Sequence, residues 1–374
     1  MTAGCQGKKP PQPASYRLTF PSGLDSAAMN IPADNPLTAA KIELGRKLFF
    51  DARLSLDGTV ACATCHNPSL GFSDGRARAI GIYGHEFKRG APMLINRVFS
   101  TAQFWDGRAK SLEDQVPQPI QNELEMRNTP ENVERTLRAG GEYREEFQQV
   151  FGTDITMDGI AKAIAAFERT LLSGNSPYDK FKAGDTTALS ESARRGLALF
   201  ESDRVNCIKC HSGFNFTDEK FHNNGAGQDQ RQPDIGRFEQ TKNDSDQGAF
   251  KTPTLRDMSR TAPYMHDGSL RTLMDVINFY NKGGIPNPHL SRHMKPLNLT
   301  EEQKADLVAF LECRGKERKA AYMVEMRVAE KQVDRKLLGV VQVGAQGMQP
   351  GAGIEDKNFL AAAEQELSKT NLDE

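Results

Sequence analysis

Two pentapeptides of the form Cys-x-x-Cys-His, Cys62-Ala63-Thr64-Cys65-His66 and Cys207-Ile208-Lys209-Cys210-His211, constrain this chain more than any other feature. In such a motif the two thiols can add to the vinyl groups of one haem, which sets the adjoining histidine beneath the iron as proximal ligand. A Cys-x-x-Cys pair can also supply half of a tetrahedral zinc site. Zinc leaves the histidine that follows directly in both copies unexplained, whereas haem requires it. The motifs therefore predict two covalently attached c-type haems, with Cys62, Cys65, Cys207 and Cys210 as attachment points and His66 and His211 as iron ligands.

The flanks repeat along with the motifs. Gly45-Arg46-Lys47-Leu48-Phe49 precedes the first copy and Gly196-Leu197-Ala198-Leu199-Phe200 the second, while Phe72-Ser73-Asp74 and Phe216-Thr217-Asp218 follow them. Self-similarity of this kind indicates a duplicated unit. The predicted fold is mainly α, with two cytochrome c-like domains each wrapped around one haem. Apolar spacing predicts helices over 37–50 and 189–200, a buried helix carrying Ile160, Ile164, Phe167 and Leu171, and a closing helix over 301–313. Thr300 and Gln303 form the capping pattern of that last helix. Strand signals are sparse, and long loops are expected where haem supplies much of the core. The break at Ser173-Gly174-Asn175-Ser176-Pro177 and the irregular Gly184-Asp185-Thr186-Thr187 mark the boundary. The expected organisation is a tether over 1–35, haem domains over 36–183 and 184–315, and an extension over 316–374. The extension has a helical pattern near Phe359 to Leu367 but no motif.

A length of 374 residues suits two domains, and 48 basic against 49 acidic residues give a net charge of -1. No global charge points to nucleic acid or an anionic membrane. Four of six cysteines belong to the haem motifs, so no disulfide framework is implied. No stretch is long and apolar enough to span a bilayer. Two readings stand for Cys5 in Thr2-Ala3-Gly4-Cys5: the lipidated residue of a bacterial lipoprotein whose start lies upstream, or an incidental cysteine in a flexible tail. The Lys8-Lys9-Pro10-Pro11-Gln12-Pro13 stretch reads as flexible tether.

Residues 36–313 resemble the bacterial dihaem cytochrome c peroxidases and their relative MauG. The resemblance rests on four motifs in order: the first haem motif, Gln103-Phe104-Trp105-Asp106-Gly107-Arg108-Ala109, the second haem motif, and Thr261-Ala262-Pro263-Tyr264-Met265-His266-Asp267-Gly268. It implies that Trp105 relays electrons between the haems. It also implies that Glu125 is the acid/base over the first, peroxidatic haem, with Gln115 as its hydrogen-bonding partner and Pro119 as a steric guard. Proton movement between peroxide oxygens is what such a carboxyl supplies.

In relatives that need reductive activation a loop histidine covers the first iron. His85 is the one histidine between the first motif and Trp105, but its spacing to Pro92 departs from the family, so an open haem is expected. For the second haem the resemblance implies an opposite ligand on the helix after the Pro-Tyr-x-His segment. There Leu273, Val276, Ile277 and Tyr280 share one face while Met274 points away. Tyr280 matches the MauG tyrosine by position, and Met265 and Met294 are the other candidates. Calcium is a further family feature, with the Thr261 and Pro263 carbonyls at matching positions. Gly90 stands where the family has an asparagine ligand, and oxygen donors are what calcium takes.

The resemblance thus implies an exported, periplasmic peroxidase that takes electrons from a small cytochrome or cupredoxin at the second haem and reduces hydrogen peroxide at the first. A MauG-like oxidase acting on aromatic residues of a partner protein is the second reading, supported by Tyr280. A dihaem electron carrier is the third, and it has no need of the Gln115 and Glu125 loop.

Overall fold

Hydroxyl side chains begin most of the longer helices. Thr38, Thr129, Thr156, Ser176, Ser190, Thr272 and Thr300 each accept a hydrogen bond from the amide three residues on, which satisfies an otherwise orphaned donor of the first turn. The computed structural model describes residues 16–313. In chain order its helices are α1 Ala39–Phe49, α2 Cys62–Cys65, α3 Leu112–Gln115, α4 Pro117–Gln121, α5 Pro130–Gly140, α6 Glu142–Phe151, α7 Met157–Glu168, α8 Pro177–Lys182, α9 Glu191–Glu201, α10 Phe238–Thr241, α11 Leu273–Asn281 and α12 Glu301–Glu312. Among the described residues the sheet content is one antiparallel pair, β1 Phe221–His222 with β2 Phe250–Lys251.

The duplicated segments form equivalent helix crossings. α1 packs on α7 in the first lobe and α9 on α12 in the second. A Cβ built on Gly45 would overlap the Ala163 carbonyl, and one on Gly196 would overlap the Asp306 carbonyl. The repeated glycine is thus the point of closest approach, where only a hydrogen fits. Just beyond it Leu48 and Phe49 are fully buried in the first lobe, and Phe200 in the second meets Phe310 at 5.2 Å between ring centroids.

α7 is buried nearly all round, with Ile160, Ile164 and Phe167 in the core. It ends at Glu168, before Leu171, whose carbonyl instead accepts the Asn96 amide at 2.8 Å. The stretch expected as a break contains α8, clamped by a fully buried ion pair of Asp179 with Arg256 at 2.8 Å. Tyr178 on α8 packs on Phe216 and Phe310 of the second lobe.

Of the segment expected as a tether, the described part is laid on the core. Leu18, Phe20, Leu24, Met29 and Ile31 pack against Val98, Phe99 and Leu172, because that many apolar side chains gain more from burial than an extended linker would lose in chain entropy. Cys5, the Lys8 to Pro13 stretch and the helical pattern near Phe359 lie outside the described residues. Residues 16–313 form one compact unit.

Candidate active site

Each haem motif closes as a single helical turn, with the histidine amide donating to the first cysteine carbonyl at 2.9 Å in both copies. The imidazoles are oriented identically. His66 Nδ1 lies 3.0 Å from the Phe72 carbonyl and His211 Nδ1 3.0 Å from the Phe216 carbonyl. A carbonyl can only accept, so Nδ1 carries the proton in each ring and Nε2 keeps its lone pair for a metal. Phe72 and Phe216 both adopt positive φ, 58° and 51°, a conformation uncommon for a bulky residue that here aims the carbonyl at the ring. This explains the repeated Phe-Ser/Thr-Asp flank. Burial pushes the His66 pKa down to about 4, against a smaller upward pull from the Phe72 carbonyl, so the imidazole is neutral near pH 7.

The placement of the first motif's thiols suits haem better than zinc. Among the described residues the one group of acidic, thiol and imidazole side chains close enough to share a metal is Cys210, Asp218 and His222, which leaves out both motif histidines. Cys62, Cys65 and His66 do not converge on a common point. They line a cavity of about 500 Å³ instead. A wall that presents two thiols and an Nε2 lone pair to an open slot fits haem c and not tetrahedral zinc.

Gln115 at the end of α3, Pro119 on α4 and Glu125 in the turn after it all line this first cavity. The turn is held by Ile82, whose amide donates to the Glu125 carbonyl at 2.8 Å, and Gly81 is required because a Cβ there would overlap the Leu124 carbonyl. Burial raises the Glu125 pKa, an effect that the nearby Arg108 charge only partly offsets. His85 is exposed on the loop beyond Gly81 and is not among the residues lining the cavity. Sequence reasoning passed over Glu168, on the wall of the same cavity with a buried Oε2 that has no hydrogen-bond partner. Burial pushes its pKa up to about 8, against the smaller downward pull of Arg169 and Arg97.

Cys207, Cys210 and His211 line a second cavity, of about 190 Å³, together with Tyr280, Met265 and Met294. All three candidate opposite ligands are therefore brought to one place, and Met274 is not among the lining residues. α11 starts with a Thr272–Asp275 capping box and buries Leu273, Val276 and Ile277, so its turn carries Tyr280 to the cavity. The Nδ2 of Asn224 donates to Tyr280 Oη at 3.2 Å and lies 3.6 Å from Met265 Sδ. Burial pushes the Tyr280 pKa up to about 12 although the Asn224 bond favours the phenolate. Asn224 was invisible in the sequence because nothing local marks it.

Trp105 lines both cavities. Its loop is closed by the Gln103 amide donating to the Ala109 carbonyl at 2.8 Å. Asp106 sits beneath as a buried anchor, paired with Arg89 at 2.7 Å and Arg108 at 3.0 Å. Gly107 has a φ of 71°, and a Cβ there would overlap the Phe221 ring. The Gln-Phe-Trp-Asp-Gly-Arg-Ala string is thus a self-supporting loop with the indole at its tip. Trp105 Nε1 donates to the Gly90 carbonyl at 2.9 Å, and the Gly90 amide donates to the His266 carbonyl at 2.8 Å.

The carbonyls of Thr261 and Pro263 accept no hydrogen bond from the described residues. Asp74 has a buried Oδ2 without a partner, and a Cβ on the next residue, Gly75, would lie 3.9 Å from the Ala262 carbonyl. Gly90 contributes no side-chain oxygen.

Residues 39–187 match the di-haem cytochrome c peroxidase family. The chain is 45% identical over 285 residues to methylamine utilization protein MauG of Methylorubrum extorquens, covering 75% of this chain and 80% of that protein. It is 39% identical over 313 residues to cytochrome-c peroxidase IdrP1 of Denitromonas iodatirespirans, covering 75% and 83%. Among solved structures it is similar to a MauG-like protein associated with microbial copper homeostasis, with a TM-score of 0.74, 32% identity, and coverage of 81% of this chain and 96% of that one.

Proposed function

Since the chain belongs to the di-haem cytochrome c peroxidase family, whose members are haem oxidoreductases that use hydrogen peroxide, we propose that it reduces peroxide at the first cavity with electrons delivered through the second. The observation that carries this reading is Trp105, one indole on the wall of both cavities. In the balanced reaction one peroxide, two electrons and two protons become two waters. Cys62 and Cys65 would hold the haem, which when bound would supply the iron for O–O cleavage. Glu125 takes the proton from the near peroxide oxygen and returns it to the far one, work suited to a carboxyl whose pKa burial has raised toward neutrality. Gln115 orients the peroxide by hydrogen bonding, and Pro119 limits what else reaches the iron. His66 and His211 would hold the irons, each with its ring fixed by a phenylalanine carbonyl.

Haem at the second cavity is attached at Cys207 and Cys210, and a small cytochrome c or cupredoxin is its electron donor. The protein works outside the cytoplasmic membrane. No described helix is long and apolar enough to cross one, and Cys5 is the residue that would carry a lipid. Calcium bound by the Thr261 and Pro263 carbonyls completes this reading, with water where a side-chain oxygen at Gly90 would stand.

A second reading is favoured by Tyr280. A phenol facing the second cavity and held by Asn224 suits an anionic oxygen ligand, which lowers the reduction potential of iron. The protein then uses peroxide to remove electrons from aromatic side chains of a partner protein. A spectrum of the oxidised protein before and after one equivalent of peroxide decides between them. A long-lived product oxidised by two equivalents without prior reduction supports the MauG-like reading. Reaction only after half-reduction supports the peroxidase, and inertness in both states refutes both.

A further inference from the structure

Arg97 and Lys251 are buried cations on the walls of different cavities, and one carboxylate lies between them. Arg97 is 9% exposed and lines the first cavity. Its Nε donates to the Met93 carbonyl at 2.9 Å, and among the described residues no carboxylate lies within ion-pair distance of its guanidinium. Lys251 is 4% exposed and lines the second cavity. Its Nζ is 2.8 Å from Glu219 Oε1, and its amide donates to the Trp105 carbonyl at 2.8 Å.

Glu219 is held in place by the Ser100 hydroxyl and the Thr101 amide, both at 3.2 Å, immediately downstream of Arg97. Its negative charge is felt at both Arg97 and Lys251. The other acid near Arg97 is Glu168, on the wall of the same cavity, which makes no ion pair with the guanidinium and whose Oε2 has no hydrogen-bond partner. A buried cation without a carboxylate partner costs several kcal/mol, roughly, so Arg97 calls for an anion, while Lys251, paired with Glu219 through one ammonium proton, has two further donors to offer one. Haem carries two propionate carboxylates, which match in charge and are planar as a guanidinium requires for paired hydrogen bonds.

We propose that Arg97 and Lys251 each bind a propionate of the haem in their own cavity, and that Glu219, between them, couples the two haems electrostatically. The inference rests on the reading that both cavities hold haem. A positive charge beside a haem favours the reduced iron, which carries one more electron, and a negative charge opposes it. Removing Arg97 or Lys251 must then lower the potential of its own haem first, whereas removing the Glu219 charge must raise both.

The test is spectroelectrochemical titration of both haems in the full chain and in Arg97→Gln, Lys251→Gln and Glu219→Gln, each first assayed for haem content. Two haems in the parent are the premise. Fewer would refute the haem reading itself rather than the coupling. With two haems bound, Arg97→Gln should lower the first haem and Lys251→Gln the second, each by about tenfold in its one-electron reduction equilibrium, or 59 mV. Glu219→Gln should raise both, and Lys251→Arg should keep the parent values. A Glu219→Gln shift confined to one haem, or absent, overturns the coupling. Should that variant fail to mature, Glu219→Ala, which also removes the charge, is titrated in its place, and the same two outcomes apply. Resonance Raman propionate-bending bands that do not change in Arg97→Gln and Lys251→Gln overturn the anchoring.

Discussion

The indole Nε1 of Trp105 donates to the backbone carbonyl of Gly90 at 2.9 Å, so the side chain that walls both cavities is fixed by main chain. A main-chain acceptor cannot rotate away as a side chain can. The same peptide segment reaches the second cavity through the Gly90 amide and the His266 carbonyl, which gives the two cavities a common rigid wall. The electron relay proposed for Trp105 would need constant separation and orientation, which such anchoring favours.

Covalent attachment predicts that denatured protein, made in a host that matures c-type cytochromes, retains two haems per chain, since thioether bonds survive unfolding and coordinate bonds do not. Replacing Cys62 and Cys65 with Ala should remove one of them. Haem assay after gel filtration in denaturant is the measurement, and release of both haems from the parent would contradict attachment.

Glu125→Gln should slow the reaction with peroxide by about 10²–10⁴-fold, the range for general acid–base groups, with both haems still bound. The pH dependence follows from the raised pKa. A base must be ionised, so the rate should fall as pH drops through a value above the ordinary carboxylate range. That limb should vanish in the variant. Stopped-flow mixing with peroxide across pH reads both effects.

Tyr280→Phe should change the absorption spectrum and raise the potential of the second haem if the phenolate is its ligand, with the packed ring largely kept. It should also abolish any long-lived product oxidised by two equivalents. A variant identical to its parent in spectrum, potential and peroxide product would transfer the role to Met265 or Met294.

Gly45→Ala and Gly196→Ala each force a methyl into a backbone carbonyl at a helix crossing. Overpacking of this kind costs about 1–3 kcal/mol. Equilibrium denaturation with urea should show that loss in both variants, and an unchanged midpoint would show that the helices can part freely.

Asp179→Ala should destabilise the protein by about 3–5 kcal/mol, because it leaves the fully buried Arg256 charge unpaired. Burial alone would raise the Asp179 pKa, but hydrogen bonding and charge from Arg256 outweigh it, and the net shift is downward. A carboxylate depressed on folding stabilises above its unfolded pKa of about 3.9 and loses that contribution as pH falls through the lower folded value. The gap between parent and variant in thermal unfolding should therefore be full at pH 6 and shrink toward pH 2.

The haem motifs and the helices α1, α7, α9, α11 and α12 were legible in the sequence because each is local, and the Trp105 loop through the family resemblance, whereas α5, α6 and α8 went unread. A Cys-x-x-Cys-His turn, a Thr300–Gln303 cap or the apolar face of α11 is complete within a dozen residues, and its chemistry can be read from spacing alone. The duplication was also legible, but only as a repeat of letters. Tertiary structure gave its letters their reasons: the glycines because α7 and α12 cross there, and the phenylalanines because positive φ turns their carbonyls onto the proximal imidazoles. Periodicity turned Tyr280 inward, yet what it meets depends on the packing of α11 against the second motif, which also brings in Met265, Met294 and Asn224. Glu168, Arg97, Glu219 and Lys251 carry no mark in the sequence. Buried charge is a property of surroundings assembled from distant segments, and those surroundings exist only once the chain has closed around its two cavities.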